Sequence, residues 1–140
     1  MLIKQLSIFL ENKVGRLAMV TKILAEAKID ISALVISDTN DFGVLRLIVN
    51  DTEGAYRVLK QNDFTISLTD VVVLGISDQS GSLSKVLEIL DKAAIEIEYM
   101  YAFSGRKIGI VPAVFRFEEA DKALKVLKLN GINILSQEQL

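Results

Sequence analysis

The sequence predicts an α+β fold in which one βαββαβ unit occurs twice in tandem. Three observations carry that prediction: the chain repeats itself at a fixed offset, the hydrophobic period changes in the same order in each copy, and no linker separates the copies. Residues 15–31 and 81–97 run in step at an offset of 66, and eight of these seventeen positions are identical: Gly15/Gly81, Leu17/Leu83, Val20/Val86, Ile23/Ile89, Leu24/Leu90, Ala27/Ala93, Ile29/Ile95 and Ile31/Ile97. Average residue usage gives roughly one or two matches by chance, so duplication is the better account. Phe42 to Leu45 aligns at the same offset with Ile108 to Val111, whereas Ala55, Val58 and Leu59 align with Ala123, Val126 and Leu127 at 68. On that alignment the second copy gains two residues near Phe117 to Ala120.

Each element has a local cause. Leu6, Ile8 and Leu10 alternate with Gln5, Ser7 and Phe9, which is strand spacing. After Gly15 the apolar residues Leu17, Val20, Leu24 and Ala27 recur at helical spacing and form one face that packs. Residues 31–38 and 42–50 are β-branched apolar runs around Asn40-Asp41, a hairpin signal, and the second copy repeats this at Ser104-Gly105-Arg106. Ala55, Val58 and Leu59 mark a second helix, and Phe64 to Leu68 alternates as a closing strand. The order makes each copy a ferredoxin-like layer of antiparallel sheet with two helices on one face. The closing strand meets the next opening strand around Asp70, which sets the domains at 1–70 and 71–140 and implies sheets joined side by side, with the second strands paired to cover their open edges. Pro112 stands inside the third strand of copy two, where it requires a bulge or a locally unpaired backbone.

The 140 residues are 51% hydrophobic and 24% charged, enough to fill a core, with no apolar run of about 18 residues or more to cross a membrane. The N-terminus lacks the basic, apolar and small-residue pattern of a secretory leader, so a soluble cytoplasmic protein is expected. The chain has no cysteine and no histidine, which removes disulfides, thiol nucleophiles, Ser-His-Asp chemistry, imidazole acid-base work and zinc clusters together. No metal or cofactor is expected. Sixteen basic residues against eighteen acidic ones, without a basic block, make nucleic acid a poor partner. The segment Lys107 to Val111 also lacks the paired aromatics of an RNA-binding sheet. A small ferredoxin-like enzyme is disfavoured as well, because no acid-base pair or activated nucleophile recurs.

The turn between first strand and first helix is Asn12-Lys13-Val14-Gly15-Arg16-Leu17 in copy one and Asp78-Gln79-Ser80-Gly81-Ser82-Leu83 in copy two. Glycine at the same place twice implies positive φ or close approach by another group. Two readings of the turn stay open at this point. In one, Asn12 and Asp78 satisfy turn or helix-start amides. In the other, those amides receive a ligand carboxylate while Asn12 or Asp78 holds its ammonium group.

This turn, followed by a helix and an Ile-containing second strand, resembles the opening of the ACT domain, which often reads Asn or Asp, two residues, Gly, one residue, Leu. Both copies match across essentially the whole chain, with Val14 and Ser80 where a proline commonly precedes the glycine. The resemblance implies a regulatory or sensing protein without a catalytic domain that binds a free amino acid or similar small effector between modules. It implicates Asn12 through Leu17 with Ile31, and Asp78 through Leu83 with Ile97. It also implies a metabolic enzyme or regulator as partner.

The rival reading is an interaction module that only oligomerises. Tyr99 and Tyr101, standing where copy one has Ala33 and Val35, offer unlike walls to a ligand or simply pack. Arg106-Lys107 reads as a solvated hairpin tip. Ile3, Val44, Ile48, Val71, Val73, Ile110 and Val114 fall on the sheet face opposite the helices, and an apolar face there predicts a homodimer that buries it.

Overall fold

A computed structural model describes residues 1–11, 13–38 and 42–140, the side chain of Asp38 excepted. The Asn40-Asp41 hairpin and Asn12 lie outside the described residues. The first repeat comprises β1 (Ile3–Glu11), α1 (Arg16–Glu26), β2 (Ile31–Asp38), β3 (Phe42–Val49), α2 (Thr52–Gln61) and the start of β4 (Thr65–Ser77). The second comprises the rest of β4, α3 (Ser82–Lys92), β5 (Ile97–Ala102), β6 (Ile110–Phe117), α4 (Ala120–Leu129) and β7 (Ile134–Leu135). The closing and opening strands expected to meet at Asp70 are thus one uninterrupted strand. The chain divides into two compact units, Lys4–Thr69 and Asp70–Leu140 with Met1–Ile3.

In the first unit β1 and β2 both run antiparallel to β3, giving the order β2-β3-β1. In the second, β4 pairs with β6 and β7, and β6 with β5. Among the described residues β2 pairs with β3 alone and β5 with β6 alone, so each second strand is an edge of its own unit. Alternation sets which side chains meet the helices. Leu6, Ile8, Leu10, Leu45 and Leu47 pack with Val20 and Leu24 of α1 and Ala55 and Leu59 of α2. Val72, Leu74, Ile76, Ala113, Phe115 and Phe117 pack with Val86 and Leu90 of α3 and Ala123 and Leu127 of α4. Full burial of each large side chain contributes about 1.5–3 kcal/mol. The Asp51 carboxylate caps α2 by accepting the Gly54 N–H at 3.0 Å, worth about 1 kcal/mol.

Three expectations change here. The first concerns alignment: Leu6 pairs with Leu47 and its equivalent Val72 with Phe115, so β1 and β4 correspond at an offset of 66 but β3 and β6 at 68. The two extra residues therefore lie in the β5–β6 connection and not near Phe117 to Ala120. Gly43 corresponds to Val111 and Leu45 to Ala113.

The second concerns Pro112. Its register opposite Gly75 is unbroken, and its carbonyl accepts the Phe103 N–H at 3.1 Å. In an antiparallel strand the N–H and C=O of one residue point to the same side, so the missing donor falls on the β5 side, just past the point where β5 ends at Ala102. No bulge is needed.

The third concerns the opposite sheet face. Ile48, Val71, Val73 and Val114 are fully buried, Ile3 nearly so, and even Gln5 is at 0% exposure, while Val44 and Ile110 are half-buried. That face is covered within the single chain. The argument that a second copy must bury it therefore falls.

Candidate functional site

Each unit turns from strand to helix through a glycine with positive φ, +90° at Gly15 and +87° at Gly81. A Cβ built at either glycine meets nothing within 4 Å. The glycine is therefore required by backbone conformation, and the alternative of close approach by another group is not what selects it. Helical bonding starts at the glycine carbonyls, which accept the N–H of Met19 at 2.9 Å and of Lys85 at 3.0 Å. No side chain caps α1 or α3 among the described residues. The Asp78 carboxylate is thus not consumed as a helix cap. Its own N–H is anchored on the Gly109 carbonyl at 2.9 Å.

Beneath both turns lies a cavity on the helix side of the sheet. In the first unit it is about 350 Å³, lined by Leu10, Glu11, Lys13, Val14, Arg16, Leu17, Ile36 and Gly43. In the second it is about 190 Å³, lined by Ile76, Ser77, Asp78, Gln79, Leu83, Met100, Ala102, Val111 and Ala113. At the offsets of 66 and 68 set by strand register, six positions recur in both linings: Leu10/Ile76, Glu11/Ser77, Lys13/Gln79, Leu17/Leu83, Ile36/Ala102 and Gly43/Val111. The cavity is therefore a property of the repeated unit.

Of the residues singled out in the sequence, Lys13, Val14, Arg16 and Leu17 meet at the first cavity and Asp78, Gln79 and Leu83 at the second. Gly15, Ser80, Gly81 and Ser82 shape the turns without lining them. Ile31 and Ile97 pack against the two cores, five residues of strand, or roughly 17 Å, from Ile36 and Ala102. The sequence reading missed Ile36, Gly43, Met100, Ala102, Val111 and Ala113. Alternation along β5 holds the available signal: Met100 lies opposite Phe115 and Ala102 opposite Ala113, both core positions, so these two share the helix side while Tyr99 and Tyr101 take the other face.

The two sites differ in charge. At the first, Lys13 Nζ sits 2.8 Å from Glu11 Oε2, and this hydrogen bond, with the lysine charge, holds the Glu11 carboxyl below the usual carboxylate range. The Arg16 guanidinium stacks over Phe64 at 4.4 Å, with its Nε buried and lacking a hydrogen-bond partner among the described residues. Arg16 also borders a second cavity of about 260 Å³ with Phe9, Phe42 and Asp63. At the second site Ser77, Gln79 and Ser82 replace Glu11, Lys13 and Arg16, leaving Asp78 as the charged lining residue. Among the described residues no group of three metal-ligating side chains converges, and no helix is long and apolar enough to cross a membrane.

Two βαββαβ units, each with a glycine turn roofing a cavity, define a tandem ferredoxin-like architecture. Residues 1–140 match the ACT domain pair family from end to end, and the chain belongs to that family. Its fold is similar to that of protein BT0572 from Bacteroides thetaiotaomicron, with 44% identity, coverage of 99% of this chain and 95% of that one, and a TM-score of 0.94. The ligand-free regulatory subunit of aspartate kinase from Thermus thermophilus shares the fold at 15% identity, with 90% of each chain covered and a TM-score of 0.63. No curated protein is matched by the chain.

Proposed function

We propose that this ACT domain pair is a regulatory or sensing subunit without chemistry of its own, and that a free amino acid is its effector. One observation carries the reading: the same cavity, under the same glycine turn into a helix, is built twice from equivalent positions. The first-turn amides and the positive end of the helix dipole suit a carboxylate, and at the second cavity Asp78 suits an ammonium group. A free α-amino acid carries both groups at the spacing of one carbon. The fold shared with a protein described as the regulatory subunit of aspartate kinase supports the same class. Regulation then works by differential affinity, since an effector shifts an equilibrium between arrangements only by its preference for one of them.

The test is a thermal-shift panel of the common amino acids on the whole chain. A ligand at a hundred times its Kd adds about 2.7 kcal/mol to the folded state, which for 140 residues raises Tm by roughly 5–10 °C. A flat panel would sink the reading.

A second reading, assembly into a homodimer, is favoured by β2. Leu34 and Ile36 are 50% and 44% exposed on this edge strand, and an open edge with apolar side chains is a template for another chain. Sedimentation decides it. A 15.5 kDa species at micromolar concentration would rule the dimer out.

A further inference from the structure

The two equivalent cavities are not filled alike, and the difference specifies a ligand. Where copy one has Ile36 and Leu45, copy two has Ala102 and Ala113. Each exchange removes three side-chain carbons from the helix side of the sheet near the turn; Val111 in place of Gly43 returns three, but at the neighbouring wall. Bulk has also moved along β6 away from the turn. Leu47 and Val49 of copy one correspond to Phe115 and Phe117, whose rings stack at 5.6 Å with an interplanar angle of 10°. The core of copy two is not thinner. It is redistributed so that the recess under the turn reaches Ala113, a residue only 1% exposed.

We propose that the copy-two cavity takes the side chain of an aliphatic α-amino acid, of valine to leucine or methionine size, and that copy one does not take the same ligand, so that one molecule binds per chain. This deepens the proposed function and rests on it. Met100, Val111, Ile76 and Leu83 give the recess apolar walls, and Asp78 is the charged group in its lining. The ligand's ammonium group pairs with that carboxylate and its side chain points to Ala113. An acidic side chain finds no cation in the recess, and a basic one would have to leave its charge unpaired against apolar walls. The volume of about 190 Å³ exceeds the roughly 150 Å³ in which an apolar cavity accepts benzene, so a branched four-carbon group fits. The copy-one cavity is wider, about 350 Å³, with Glu11, Lys13 and Arg16 placing charges in its lining, so an aliphatic side chain would lie loosely there against charged groups. Ala102 and Ala113 are the specificity-determining residues.

Calorimetric titration of the full chain with leucine, valine, isoleucine, methionine, glycine, aspartate and lysine tests this, alongside the variants Ala102→Ile and Ala113→Leu, which install the copy-one residues. The aliphatic amino acids should bind with a stoichiometry of one per chain, and glycine, aspartate and lysine at least tenfold more weakly. Each variant should lose at least tenfold in leucine affinity. Ala102 is at the exposed mouth, so its variant reports on binding even where the deeper Ala113→Leu fails to fold. Aspartate or lysine binding in preference to leucine, two molecules per chain, or unchanged leucine affinity in a folded Ala102→Ile protein would each overturn the aliphatic assignment while leaving amino-acid binding intact. If none of the seven binds, the aliphatic assignment fails, and the proposed function fails with it only where the thermal-shift panel of the common amino acids is flat as well.

Discussion

Replacing Gly81 by alanine isolates the backbone requirement of the turn from packing. At φ +87° and ψ −8° an L-residue carries a conformational cost of about 1–2 kcal/mol. The added methyl meets no atom within 4 Å, so no steric term is added. Alanine also narrows the unfolded ensemble, which returns about 0.4–1 kcal/mol. The net loss, taken at like ends of the two ranges, is about 0.6–1 kcal/mol, or roughly 1–4 °C in Tm for a chain this long. Gly15→Ala should cost the same, because its φ of +90° and open surroundings are the same. Gly81→Asn should cost less than alanine, since asparagine tolerates the left-handed region better. Gly105→Ala should behave differently, for its Cβ would lie 2.7 Å from Pro112 Cδ and 2.9 Å from the Ile110 carbonyl oxygen. Thermal and urea melts of the four variants measure all of this. An alanine variant at Gly81 as stable as the parent, or an asparagine variant worse than alanine, would refute the argument that positive φ selects glycine there.

Four further outcomes are expected. Asp78→Ala should weaken binding of the identified amino acid at least tenfold by calorimetry while moving the ligand-free Tm by only a degree or two, because its carboxylate caps no helix. Phe117→Ala, which empties a fully buried and stacked position, should cost about 3–5 kcal/mol in a urea melt. Arg16→Ser, the copy-two residue at that place, should remove the guanidinium stacked on Phe64 and cost about 0.5–1 kcal/mol; no measurable change would mean the stacking is decorative. Leu34→Lys should lower the sedimentation coefficient of any dimer formed through β2, and an unaltered dimer would place its interface elsewhere.

Much of the architecture was legible along the chain because it depends on local chemistry. Glycine recurring at positions 15 and 81 signals a backbone few other residues adopt, and both stand at positive φ. The switch from period two to helical spacing located β1 and α1, and the same pattern at an offset of 66 located β4 and α3. The candidate site was half legible. Asp78, Gln79 and Leu83 adjoin the glycine in sequence, and the duplication draws the eye to them. Met100, Ala102 and Ala113 carry no such mark, since small or flexible apolar residues on strands read as ordinary packing.

What the chain order determined by itself is the duplication, the element order and the two glycine turns, for each follows from neighbours a few residues apart. Tertiary structure alone decided the rest. A two-residue insertion can be slid along an apolar strand without changing its pattern, and only the pairing of Val72 with Phe115 fixes it before β6. Alternation tells which side of a strand a residue faces but not what covers that side, so Ile48, Val73 and Val114 looked open and are buried. A cavity is the space left by side chains from β4, α3, β5 and β6 together. Its size depends on volumes that no single segment contains.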